Sequence, residues 1–148
     1  VGRFFDDFTL GERAGFGAVE VRREEVIDFA RRFDPQPFHL DEEAARRSPF
    51  GGLIASGWHT VALTMRLMVE ALGGGESGSL GSPGADRIRW LEPVRPGDVL
   101  SVELEVRALR PSRSKPDRGL VEIEVTTLNQ HRRPVMTMLA LGIFRRRE

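Results

Sequence analysis

The sequence contains no cysteine, which removes a disulfide framework, a thiol nucleophile and thiolate metal ligands, and makes a reducing, cytoplasmic setting the default expectation. Neither sign of charge is in excess, with 22 Lys and Arg against 22 Asp and Glu. A neutral chain exerts no general pull on a polyanion, so neither nucleic acid nor a membrane surface is expected as a partner. Nor is there a run of about 18 uninterrupted apolar residues, the length a membrane span needs. The most apolar stretch is broken by His59, Arg66 and Glu70. Val1 to Leu10 has no basic region leading into an apolar one and no small-residue cleavage site, so no targeting peptide is expected. No internal repeat is visible. The 148 residues are the length of one domain, 1–148, able to bury about two thirds of its unfolded surface without covalent staples.

Periodicity divides the chain into a helix-rich first half and a strand-rich second half, the order of an α+β fold. Arg23 to Phe33 places Val26, Ile27, Ala30 and Phe33 at helical spacing, with Glu24 and Glu25 in the first turn and Arg31 and Arg32 in the last. Asp34-Pro35-Gln36-Pro37 must end that helix, because a residue before proline avoids helical angles and proline has no amide proton. Asp41 to Arg47 reads as a second short helix capped by Asp41, and Ser48 to Gly52 as a loop. From Ser56 to Leu72, apolar residues surround most of a helix about 25 Å long, so burial on nearly all sides is expected. Gly73 to Gly84 reads as a flexible link. Strands are expected at Phe16–Val21, Arg87–Leu91, Leu100–Val106, Val121–Thr127 and Val135–Phe144. The third and fourth alternate strictly; the last is apolar on both faces and reads as central.

Chemistry concentrates in Phe33–Ala45 and Phe50–Thr60. Asp34 and His39 are a carboxylate and an imidazole five residues apart across a double-proline turn. That spacing fits neither one helix face nor one strand face, but a rigid loop can aim both into one pocket, as acid/base catalysis requires. A capped turn between two helices uses the same residues. Asp34 closes the first helix, where the dipole opposes negative charge and is expected to raise its pKa. Ser56 reads as the cap of the long helix. Gly57 leaves room for a ligand near the backbone, so its N–H and the helix dipole can meet an oxyanion; the glycines at 51, 52 and 57 serve equally well to turn a loop.

Asp34-Pro35-Gln36-Pro37-Phe38-His39-Leu40-Asp41, followed by Phe50-Gly51-Gly52-Leu53-Ile54-Ala55-Ser56-Gly57, resembles the MaoC-like, (R)-specific enoyl-CoA hydratase family. Its pattern runs Asp-x-Asn-Pro-x-His and then Ile-x-His-Gly, and Asp34, His39 and Gly57 fall on those positions. Arg89 to Leu100, with Pro93-Val94-Arg95-Pro96-Gly97-Asp98, looks like the family's strand and following turn. The resemblance implies a hotdog fold, an antiparallel sheet wrapped around a long central helix. It implies a catalytic Asp34/His39 pair with the Gly57 amide facing the thioester oxygen, and reversible hydration of trans-2-enoyl thioesters. It also implies an acyl-CoA or acyl-carrier-protein substrate, no cofactor, no metal, and a homodimer or larger. Gln36 and Ser56 depart from the family's Asn and His; both are taken as substrate-binding, with Gln36 able to hold water or Asp34 through its amide.

His39, Asp41 and His59 together form a weak alternative metal set, against which His59 has a packing role on the long helix. The loop Arg110–Arg118 carries Arg110, Arg113, Lys115 and Arg118 against Asp117. Arg113 and Lys115 are the candidates to clamp the phosphates of coenzyme A or a carrier prosthetic group; a solvated hairpin is the plain reading. Arg145 to Arg147 read as a solvated tail, and Met65, Met68, Met136 and Met138 as core or acyl-channel lining. Two other functions fit the same residues: an acyl-CoA thioesterase, which directs water at the carbonyl carbon, and a non-catalytic acyl-CoA-binding module.

Overall fold

The structure, a computed structural model, describes residues 2–148; Val1, the first residue of the N-terminal stretch weighed above, lies outside the described residues. The elements run β1 (Arg13–Glu20), α1 (Arg23–Phe33), α2 (Pro37–Leu40), α3 (Glu42–Arg46), α4 (Gly57–Ala71), β2 (Ser79–Trp90), β3 (Val99–Pro111), β4 (Arg118–Leu128) and β5 (Pro134–Arg145). All five strands form one antiparallel sheet in the order β1-β3-β4-β5-β2. Its inner face packs on α4, giving the α+β hotdog architecture that the motif resemblance implies.

Alternation along the strands builds the core. Val102, Leu104 and Val106 of β3 and Val121, Ile123 and Val125 of β4 turn inward, while their charged neighbours face water. From α4, Leu63, Leu67 and Met68 meet them. The Thr64 hydroxyl donates to the Thr60 carbonyl at 2.8 Å and lies 2.7 Å from the Thr127 hydroxyl, so a buried polar contact ties α4 to β4 with its groups satisfied. β5 lies between β4 and β2, an interior strand as its two apolar faces suggest, although β4 holds the middle. No helix among the described residues is long and apolar enough to cross a membrane.

Four expectations need correction. Gly73–Gly84 is not wholly a link, because β2 begins at Ser79 and pairs with β5 through repeated register shifts. Gly81 (φ 112°) and Gly84 (φ 151°) supply the backbone angles those bulges need; pairing on one edge is invisible in side-chain periodicity. Helix α4 is not buried all round: Trp58, Met65 and Val69 are exposed along the flank of the helix beside β2. Phe33, expected on the buried stripe of α1, is 68% exposed. It lies beyond the fully buried Val26 and Ala30 and packs its ring on Phe29 at 5.2 Å. The C-terminal arginines are not a free tail, since Arg147 pairs with Asp7 at 2.7 Å and Arg146 with Asp6 at 3.3 Å.

The turn after β2 positions the site. Just after β1, the Val21 N–H donates to the Asp98 carbonyl and the Val21 carbonyl accepts the Gly97 N–H, both at 2.7 Å; the Asp98 carboxylate accepts the Arg95 N–H at 2.8 Å, and the Val94 carbonyl accepts the Ala55 N–H at 2.8 Å. Ile54 N–H donates to Phe38 at 3.2 Å. The segment entering α4 is thereby fastened to both the turn and α2.

Candidate active site

Asp34 ends α1, its N–H still bonded to Ala30 at 2.8 Å. Proline at 35 stops the helix and Pro37 starts the next, since its fixed φ and missing N–H suit a first helical position. The expected rigid loop is therefore partly a single helical turn, α2, and that turn swings His39 back over Asp34. His39 Nε2 lies 3.2 Å from Asp34 Oδ2.

The hydrogen bonds around this contact determine its chemistry. His39 Nδ1 is 2.8 Å from the Ile54 carbonyl oxygen, which only accepts, so Nδ1 carries a proton. Nε2 then faces a carboxyl oxygen, and the contact is attractive only when one proton lies between them. Asp34 Oδ2 also accepts the Ser56 hydroxyl at 2.7 Å, and Oδ1 accepts the Gln36 amide at 2.6 Å. Burial pushes the Asp34 carboxyl up, but the bonds from Ser56 and Gln36 and the neighbouring His39 together hold it below its ordinary value. This reverses the expectation of a raised pKa. That expectation counted only the C-terminal end of α1, whereas the fold also sets the carboxylate against the cap of α4, whose dipole favours negative charge.

Ser56 is the cap of α4, as its position suggests, with the hydroxyl accepting the Trp58 N–H at 3.3 Å. It is completely buried and turned onto Asp34, so it holds the carboxylate and does not line the cleft. Gln36 lines the cleft and bonds Asp34, the second of the two roles open to it. Gly57 begins α4, borders the cleft, and its N–H donates to no acceptor among the described residues. The Gly57 Cα lies against the Trp90 indole, which a Cβ there would strike. Glycine is thus required by Trp90 and not by a turn.

The cleft has a volume of about 510 Å³, with Asp34, His39 and Gly57 on one side and Phe50, Ile54, Trp58, Trp90 and Leu91 as apolar walls. Trp58 and Trp90 meet edge to face at 5.3 Å. Sequence reasoning missed Trp90 as a site residue, although it stands at the end of its strand immediately before the recognised turn. It also missed Glu92, which borders the cleft and pairs with Arg133 at 2.6 Å.

The remaining candidates lie elsewhere. Arg113 and Lys115 are exposed at the tip of the β3–β4 hairpin. β3 starts beside the turn that fastens the site and runs roughly 40 Å away from it, so one chain does not bring these cations to Asp34 and His39. His59 points to α1, where it stacks on Phe29 at 4.8 Å, its pKa lowered by burial. Asp41 caps α3 by accepting the Ala44 N–H at 2.8 Å. The alternative metal set is therefore dispersed, and no cluster of three such ligands occurs among the described residues. Met68, Met136 and Met138 are core, while Met65 is exposed.

Residues 7–129 match the family model described as "MaoC like domain". The chain is 35% identical over 117 residues to a 3-hydroxybutyryl-CoA dehydratase of Methylorubrum extorquens, covering 76% of this chain and 69% of that protein. It is 33% identical over 125 residues to YdeM of Bacillus subtilis, covering 84% and 86% respectively. Among solved structures, a MaoC-like dehydratase from Rhodospirillum rubrum superposes with a TM-score of 0.88 at 45% identity, over 99% of each chain.

Proposed function

Since the chain belongs to the MaoC-like dehydratase family, we propose that it is a hydro-lyase acting on acyl thioesters, adding water to a trans-2-enoyl-CoA and removing it from the (R)-3-hydroxyacyl-CoA. The observation that carries this reading is the 3.2 Å Asp34–His39 contact at the wall of a cleft that also holds the free N–H of Gly57. Hydration needs a base for the attacking water, an acid for the α-carbon and a donor for the enolate oxygen. The relative from Methylorubrum extorquens, a 3-hydroxybutyryl-CoA dehydratase by name, supports a CoA thioester as substrate.

Each residue takes one step. Asp34, held as a carboxylate by Ser56 and Gln36, removes a proton from water as its oxygen bonds to the β-carbon. The π electrons move onto the thioester oxygen, where the Gly57 N–H and the positive end of α4 receive the charge. His39 Nε2–H then gives its proton to the α-carbon as the carbonyl re-forms. The proton gained by Asp34 passes back to His39 across their direct contact, so the pair returns to its starting state with one water added. The reaction is redox-neutral, and its proton transfers are supplied by these side chains. The (R) configuration is carried over from the motif resemblance.

The test is hydration of crotonyl-CoA, followed as loss of enoyl-thioester absorbance, for the wild type and Asp34→Asn, with free thiol read in parallel. The reading expects absorbance loss without thiol, reduced by about 10² to 10⁴ in the variant. Release of thiol would identify a thioesterase instead, and a fully active Asp34→Asn variant would remove Asp34 from the mechanism.

A further inference from the structure

We propose that Ser56 is a positioning residue for Asp34: fully buried and already accepting the first-turn N–H of α4, it has no acceptor for its single proton but the carboxylate, and the bond it donates there keeps the base charged. The assignment rests on Asp34 being the base of the proposed hydration.

The Ser56 hydroxyl is fully buried and touches two polar partners. One is the backbone N–H of Trp58 at 3.3 Å, a donor at the first turn of a 15-residue helix whose amides have no partner inside the helix. Toward that N–H the hydroxyl must accept. Its proton, shut off from water, has one acceptor in reach among the described residues, Asp34 Oδ2 at 2.7 Å. A serine hydroxyl carries one proton and two lone pairs; accepting from Asp34 as well would leave that proton buried without a partner, so burial and the absence of another acceptor decide the direction.

The consequence for Asp34 follows from its complete set of neighbours. Oδ1 receives the Gln36 amide and Oδ2 receives both Ser56 and His39 Nε2, so donors face both oxygens. Protonating Asp34 weakens bonds on whichever oxygen takes the proton. The other titratable groups lie farther off or face away. Glu92, from the β2–β3 connection, borders the same cleft but is paired with Arg133. On α1, Arg31 and Arg32 precede Asp34 without bonding to it; on α4, His59 is stacked on Phe29 and Arg66 pairs with Glu70. Ser56 and Gln36 are therefore the neutral groups that set the Asp34 charge, and of the two only Ser56 is buried. A change at 56 alters the base without altering the cleft wall.

The experiment titrates the Asp34 carboxyl by carbon NMR in the wild type, Ser56→Ala, Ser56→Gly and Ser56→Thr, and measures the pH profile of crotonyl-CoA hydration in each. Ser56→Gly guards against misfolding, because glycine at a cap costs less helix stability than alanine does. The proposal expects the Asp34 midpoint to rise by about one pH unit or more in Ser56→Ala and Ser56→Gly, the scale of one hydrogen bond to a charged group. The acid limb of kcat should rise with it while KM stays within about twofold, and Ser56→Thr, which keeps the hydroxyl, should restore both. An unmoved Asp34 midpoint in both Ser56→Ala and Ser56→Gly overturns the proposal, even with wild-type hydratase activity intact. A midpoint that moves in a protein that hydrates no enoyl thioester supports the Ser56 assignment and sinks the hydratase reading alone.

Discussion

Trp90 Nε1 donates to the Gly57 carbonyl at 2.9 Å, and its indole occupies the space into which any side chain at position 57 would project. The end of β2 is thereby locked against the first turn of α4, at the amide proposed to receive the enolate oxygen. Gly57→Ala cannot be accommodated by the indole in place. The conflict is expected to cost about 1–3 kcal/mol of stability and, by displacing the donor, about 10² in kcat. Thermal unfolding and hydration kinetics check the two effects separately. Adding Trp90→Ala to Gly57→Ala should recover part of the stability, and a double variant less stable than both singles would refute the steric explanation.

The Asp34 carboxyl is held below its ordinary value in the folded chain. Its contribution to stability is therefore fully present above the unfolded value of about 3.9 and is lost as pH falls through the lower folded value. Activity limited by protonation of Asp34 should consequently stay level from neutral pH down to about pH 5, since the base remains charged there. A pH–kcat/KM profile checks this. An acid limb near neutrality would contradict the observed hydrogen bonding of the carboxylate.

Much of this site is legible in the chain because it is local. Asp34-Pro35-Gln36-Pro37 must end one helix, Asp41 and Ser56 cap α3 and α4, and the motif around His39 is contiguous. What cannot be read is contact between distant segments. The bond from Trp90 to Gly57 spans 33 positions, and the Ser56–Asp34 bond, which reverses the expected direction of the carboxyl's shift, spans 22. The dipole of α1 was visible beside Asp34, whereas that of α4 reached it only through folding. Similarly, the pattern of Arg113 and Lys115 indicates charge but not distance, and the length of β3 carries them to the far end of the sheet.

Along this flank of α4, Trp58, Met65 and Val69 are 56%, 44% and 47% exposed, beside β2, which is an edge strand. Large apolar side chains next to an open strand edge suit an interface between identical copies. A homodimer is the expected species in solution, to be read by light scattering after size exclusion. Met65→Glu and Val69→Glu together should shift the mass to the monomer while circular dichroism stays unchanged, because neither side chain belongs to the buried core. A monomeric wild type across the micromolar range would discard the interface.

His39 performs two separable tasks, and the ring nitrogens divide them. Nδ1–H satisfies the Ile54 carbonyl in the buried segment leading into α4, and Nε2 faces Asp34. His39→Asn places an amide N–H near the former position of Nδ1 but has no group at the position of Nε2. It should fold with nearly wild-type stability and lose about 10² to 10⁴ in kcat. His39→Ala removes both functions, leaving a buried carbonyl without a donor, and should lose about 1–3 kcal/mol of stability in addition. Equal stability of the two variants would show that the Ile54 bond contributes nothing. Substantial hydration by His39→Asn would instead move the proton donor away from His39, because no other side chain bonded to Asp34 carries an ionisable proton to deliver.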